Sequence, residues 1–197
     1  MRWSTSRVEA FSDGVIAIAI TLLVLEIRVD PADLADPWPA LADQWPSYLA
    51  YVTSFLTVGS VWMAHHGIFS RLESMDAGLM RLNLALLMLV AFLPFPTRVL
   101  ADALTQTQAA ERAAVVVYGA LVLAIELLLL AMARHGHVEA QPRRRRFAGI
   151  VAYPAAIVVA LLAVPDLAAF AYLALAVRAV LRAPGEGRIS TGRVRTD

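Results

Sequence analysis

Asp13, the adjacent pair His65-His66, Asn83 and Glu126 are polar residues set inside long apolar stretches of a 197-residue chain. Ionisable groups in such surroundings are costly to keep, so each is a functional candidate by default. Asp and His can relay protons or hold a metal ion, and Asn, Ser or His can clamp helices through hydrogen bonds. Adjacent residues on a helix point about 100° apart, so His65 and His66 do not readily chelate one ion. That geometry favours a clamp over a metal centre. Glu126 stands alone in its stretch and reads as a helix–helix contact rather than a proton carrier. No Gly-x-Ser-x-Gly, His-Glu-x-x-His or phosphate-loop pattern occurs, so no catalytic residue, metal ligand set or cofactor is expected. An enzyme is not expected either.

The elements that carry these residues follow from composition. Hydrophobic residues are 59% of the chain and charged residues 17%, against a typical ~45–50% and ~25%. A bilayer crossing takes about 20 apolar residues, so the excess suits six crossings and excludes a disordered tail or an ordinary cytosolic enzyme. There is no cysteine, which excludes disulfides and thiolate chemistry. The runs are too long and continuous for barrel strands, which alternate over about 10 residues. In lipid such segments must satisfy their own backbone, so they are helices. The expected fold is therefore all-α, an integral membrane protein with six transmembrane helices. They lie at about Ala10–Ile27, Tyr48–Phe69, Leu79–Leu100, Ala113–Ala133, Phe147–Val164 and Leu167–Leu181. The sixth is the shortest, because Arg178 interrupts it and must snorkel.

All 17 basic residues are Arg, and the net charge of +1 argues against a nucleic-acid partner. With the N-terminus inside, fourteen Arg residues fall in cytoplasmic segments and only Arg28, Arg98 and Arg112 fall outside. This positive-inside bias places both termini in the cytoplasm. The first outer loop carries Asp30, Asp33, Asp36 and Asp43 and reads as a solvated loop, with a cation-concentrating mouth as the sharper reading. The first helix has the flanks and length of a signal peptide, but Glu26-Ile27-Arg28 offers no small-residue cleavage site, so it reads as permanent. Residues 1–183 form one six-helix transmembrane domain, and 184–197 read as a flexible cytoplasmic tail.

In this topology Asp13, His65, His66 and Asn83 all fall in the cytoplasmic third of the first three helices. Three helices thus bring donors and acceptors to one layer. On the wheel of the first helix, Gly14, Ile18, Thr21, Leu22 and Leu25 form one stripe, with Asp13 about 140° from Ile18. One face can therefore pack on neighbouring helices while the other meets lipid, core or something different. Thr57-Val58-Gly59-Ser60-Val61 lacks the Tyr-Gly of a carbonyl ion filter and lies within a helix. The run Arg143, Arg144, Arg145 and Arg146 is contiguous, unlike a voltage sensor, and suits anionic headgroups.

The segment Arg7-Val8-Glu9-Ala10-Phe11-Ser12-Asp13 resembles the Arg-x-x-x-Phe-Ser-Asp signature of the prokaryotic members of the transmembrane protein 175 family, the lysosomal-type potassium channels. Trp62-x-x-His65-His66-x-x-Phe69, Asn83 and Pro94-Phe95-Pro96-Thr97 add to the likeness, which rests on the first three helices. The resemblance implies a homotetramer in the inner or plasma membrane of a prokaryote, permeable to potassium ions, with the first helix lining a central pore. Ile18, Leu22 and Leu25 then look like stacked apolar constrictions, and Thr21 like a polar ring among them. Arg7, Phe11, Ser12, Asp13, Trp62, His65, His66 and Asn83 look like the network that holds the pore helix. Two other classes stay open: a proton-coupled secondary transporter using Asp13, His65, His66 and Glu126, and a non-conducting membrane scaffold. A duplicated Phe-Ser-Asp motif is missing from the second half, which weighs against an internally repeated transporter.

Overall fold

The computed structural model describes residues 3–28, 36–72, 74–138, 155, 158 and 165–181. Helix α1 (Thr5–Leu22) tightens into a 3₁₀ turn over Leu23–Glu26. A seven-residue helix α2 (Pro37–Asp43) precedes α3 (Trp45–Phe69). Then come α4 (Ala77–Phe92), α5 (Pro94–Ala103), α6 (Gln108–His135) and α7 (Pro165–Leu181).

Local sequence explains most boundaries. Asp76 caps α4 by accepting the Leu79 N–H, and the Thr107 hydroxyl accepts the Ala110 N–H at the start of α6. Each satisfies a donor that the first helical turn leaves open. Pro37, Pro46 and Pro94 occupy first-turn positions, where a missing N–H costs nothing. Leu93 keeps right-handed helical angles between α4 and α5, so the two form one bent segment, Ala77–Ala103. The bend falls where Pro94 and Pro96 remove two amide donors. At the other end of α6, His137 adopts φ 50°, and the Val138 N–H reaches back to the Ala133 carbonyl at 2.9 Å. This left-handed closure uses His where glycine is usual.

Among the described residues, three helical segments are long and apolar enough to cross a membrane: Thr5–Glu26, Ala77–Ala103 and Gln108–His135. They match the first, third and fourth expected crossings, with starts two to five residues earlier. The second expected crossing is α3, 25 residues long. Its apolarity is diluted by Thr53, Ser54, Thr57 and His65, all of which are buried against neighbours rather than turned outward. The sixth expected crossing is α7, seventeen residues. Of the fifth, Phe147–Val164, only residues 155 and 158 are described, both helical, and the arginine run and the tail 184–197 lie outside the described residues.

Helix α3 packs chiefly on α7 and α5, while α6 covers α4 and α5. Val58, Val61, Leu86, Val90, Leu93, Val115, Tyr118, Val122 and Ile125 make the shared core. Helix α1 packs on α3 and α4 through Val8, Ser12, Ile16, Ala19 and Leu23. This spacing buries a single stripe of α1 and leaves its opposite side open.

Candidate functional site

The buried stripe of α1 includes a hydroxyl. Ser12 is fully buried and donates to the Val8 carbonyl at 2.8 Å. Asn83 on α4, also buried, donates from Nδ2 to Ser12 Oγ at 3.0 Å. Its Oδ1 accepts from His65 Nε2 on α3 at 2.9 Å. Asn83 is thus the hub of a three-helix chain, and the carboxamide suits that place because it donates and accepts at once. The His65 ring stacks on Phe69 with centroids 4.2 Å apart, and its buried Nδ1 has no hydrogen-bond partner among the described residues. The bond to Oδ1 therefore fixes the proton on Nε2.

Two further bonds join α1 to α3 nearer the surface. Trp62 donates from Nε1 to Asp13 Oδ1 at 2.9 Å, and His66 Nδ1 donates to Glu9 Oε1 at 3.0 Å. The Trp62 and His66 rings stack, with centroids 5.9 Å apart. The two histidines therefore serve different partners, one buried and one exposed. No group of three or more His, Cys, Asp or Glu able to hold a metal occurs among the described residues.

Of the residues expected in this network, Ser12, Asp13, Trp62, His65, His66 and Asn83 come together. Arg7 and Phe11 do not: both are exposed on α1, and among the described residues neither is hydrogen-bonded to the network. Their positions on the wheel explain this, since they precede Gly14 and Ile18 along the open stripe rather than Ser12 along the buried one. Glu9 was not singled out as a partner, although it sits four residues before Asp13 and so on the same side of α1.

The open stripe runs through Gly14, Ile18, Thr21, Leu22 and Leu25, all exposed. Ile18 is 61% exposed, Leu22 40% and Leu25 60%. Leu25 belongs to the 3₁₀ turn rather than to α1 proper, so its direction follows a tighter winding than the wheel assumed. Thr21 donates its hydroxyl proton to the Ile18 carbonyl at 2.8 Å, leaving its oxygen lone pairs outward. A β-carbon built on Gly14 would meet nothing within 4 Å.

Two other polar groupings had no signal in the sequence. Ser54 Oγ on α3 lies 2.7 Å from Thr97 Oγ1 on α5 and 3.1 Å from Tyr118 Oη on α6, and Thr97 donates to the Leu93 carbonyl at the bend. Outside the crossings, Asp76 Oδ2 accepts from His135 Nε2 at 2.9 Å, tying the start of α4 to the end of α6. The Leu79 N–H and then His135 hold the Asp76 carboxyl below its ordinary value.

A bundle of apolar helices with a buried polar clamp and one apolar helix face left open defines a helical membrane protein. Residues 7–94 match the family described as endosomal/lysosomal potassium channel TMEM175. A potassium channel of Streptomyces collinus is 46% identical over 185 residues, covering 87% of this chain and 90% of that protein. The crystal structure of a lysosomal potassium-selective channel TMEM175 homolog from Chamaesiphon minutus is similar with a TM-score of 0.83 and 39% identity, covering 92% of this chain and 98% of that one. The human endosomal/lysosomal proton channel TMEM175 is 41% identical over 100 residues, which are 46% of this chain and 20% of the human protein. The chain belongs to the TMEM175 family.

Proposed function

We propose that the chain is a potassium-selective cation channel of leak type, without a voltage sensor. Four six-helix subunits assemble in the plasma membrane, or inner membrane, of a prokaryote, with all termini cytoplasmic. Helix α1 of each lines a central pore. The observation that carries this reading is the open apolar face of α1 opposite its packed face, with Ile18 61% exposed. Membership of a family with relatives named as potassium channels supports it.

Rings of Ile18, Leu22 and Leu25 cannot replace an ion's hydration shell as carbonyl oxygens do. They act by width and by dewetting. Closure is the narrow, dry state, and conduction needs the rings to widen enough for a largely hydrated ion. Thr21 adds a ring of hydroxyl oxygens between them, where a partly dehydrated cation finds a polar neighbour. The Ser12–Asn83–His65 chain and the Asp13–Trp62 bond hold α1 at the angle that presents this face.

Coupled proton transport is less well supported. A relay needs a hydrogen-bonding partner on each side of its imidazole, yet among the described residues the buried His65 Nδ1 has none. Glu126 belongs to α6, whose neighbours are α3, α4, α5 and α7. Flux from liposomes at two potassium gradients tests the proposal. Potassium should move down its gradient with no coupling ion, faster than sodium. Saturable flux that requires a proton gradient would replace the channel with an exchanger.

A further inference from the structure

The connection between α1 and α3 holds four large side chains that the pore and its clamp do not use. Trp38 and Leu41 on α2, and Trp45 and Tyr48 at the start of α3, are all exposed, Trp38 to 79%. They recur at intervals of three and four residues, which keeps them on one side of a helical path. The turn between the helices, at Gln44, does not break this alignment, because Tyr48 donates its hydroxyl proton to the Leu41 carbonyl at 3.0 Å. Asp43 is exposed too, but on the wheel it lies about 140° from Trp38 and about 160° from Leu41. The segment is therefore amphipathic, with aromatic groups on one side and a carboxylate on the other.

We propose that α2 and the first turn of α3 form an aromatic anchor seated in the outer headgroup layer of the bilayer. Indole and phenol rings combine an apolar body with a polar rim, and the headgroup layer is where they gather. The level also fits. At about 1.5 Å per residue the 25 residues of α3 span roughly 37 Å. That exceeds a hydrocarbon core of about 30 Å, so Trp45 and Tyr48 at one end emerge at the interface when Phe69 emerges at the other. The stripe continues down α3 through Val52 and Phe55, both exposed, which carry it into the acyl region. Asp43 then faces water, where a carboxylate belongs. The inference rests on α3 crossing the bilayer with its start outside, and not on ion permeation.

The chain has no cysteine, so single spin labels can be placed without background. Leu41→Cys, Ala42→Cys and Asp43→Cys, each labelled and reconstituted in lipid nanodiscs, are compared for collision with oxygen and with a water-soluble nickel chelate. The labels at 41 and 42 should collide more with oxygen and the label at 43 more with nickel, giving depth parameters of opposite sign. Nickel access at all three positions overturns the anchor in favour of a solvated loop. Protection of all three from both reagents overturns it in favour of a second protein copy. Quenching of native tryptophan fluorescence by brominated lipids checks the result without introduced cysteines. The fluorescence lost in Trp38→Phe should be quenched more by lipid brominated near the headgroup than near the chain end, and the reverse order or no quenching overturns the anchor.

Discussion

His65 on α3 and Asn83 on α4 meet at 2.9 Å, with both residues fully buried. Asn83 passes the connection to Ser12 on α1 through its other polar atom. One carboxamide thereby ties the proposed pore helix to the two helices behind it.

Replacing Asn83 by Ala should weaken assembly more than replacing Ser12 by Ala. Asn83→Ala strands the His65 Nε2–H and removes a partner of Ser12, whereas Ser12→Ala leaves the His65 bond in place. Interhelical hydrogen bonds in membranes average about 0.6 kcal/mol, and a stranded buried donor raises the loss towards about 1–3 kcal/mol. Thermal unfolding in detergent and the tetramer fraction by light scattering check the order. Asp13→Asn and His65→Ala should likewise lower assembly more than they change selectivity. Intact assembly with altered selectivity would count against the clamp.

The hydroxyl cluster sets a second order of effects. Ser54→Ala removes the partner of both Thr97 and Tyr118, while Tyr118→Phe leaves the Ser54–Thr97 bond intact. Each net bond contributes about 0.5–1.5 kcal/mol, and Tyr118 has a second side-chain partner in Thr57, so Ser54→Ala should lower the melting temperature further than Tyr118→Phe but by less than twofold. Equal shifts would show that the Ser54–Thr97 bond adds nothing at the bend.

Acid should expose the Asp76–His135 tie. The folded carboxyl titrates below its ordinary value of 3.8, so its stabilisation is present above about pH 3.8 and is lost as pH falls through the lower folded value. Asp76→Asn keeps a helix-capping group and removes the charge. Melting curves should show wild type above this variant from about pH 7 to 5, converging below about pH 3.8. A gap that persists in stronger acid would assign the effect to something other than this carboxyl. Gly78→Ala tests the same contact, because the new methyl would meet His135 Cε1 at 2.6 Å and displace the ring.

On the open face, Ile18→Asn should raise resting flux and reduce the preference for potassium over sodium. A polar ring wets at a larger range of widths than an aliphatic one. Ile20 lies about 200° away on the wheel and packs against the core, so Ile20→Val should change neither property. Equal effects of the two substitutions on flux would remove the α1 face from the pathway.

The helices were legible because apolar runs of this length leave the backbone no other solution. The two stripes of α1 were legible from the wheel, and the layer shared by Asp13, His65, His66 and Asn83 from topology alone, whereas the place of Ser12 as the Asn83 partner was not. Other features leave no periodic trace. Ser54, Thr97 and Tyr118 lie on three helices, and isolated hydroxyls in apolar runs do not announce one another. Helix α2 is seven residues long, shorter than any apolar period can reveal, and only Pro37 hints at its start. The bend at Leu93 was marked by Pro94 and Pro96, yet proline also suits a helix end. Arg7 and Phe11 belong to the signature but face outward from the protomer, since sequence proximity to Ser12 does not set the side of the helix on which a residue lies.

The central claim is that the open face of α1 lines the ion pathway. Its most direct test is potassium flux through Ile18→Cys before and after a charged, water-soluble thiol reagent, with Met88→Cys as control. Both positions are exposed on the protomer, Met88 to 65% on α4, and the chain has no other cysteine. The account predicts that modification blocks flux through Ile18→Cys and leaves Met88→Cys unaffected. Unimpaired flux through fully modified Ile18→Cys would contradict it.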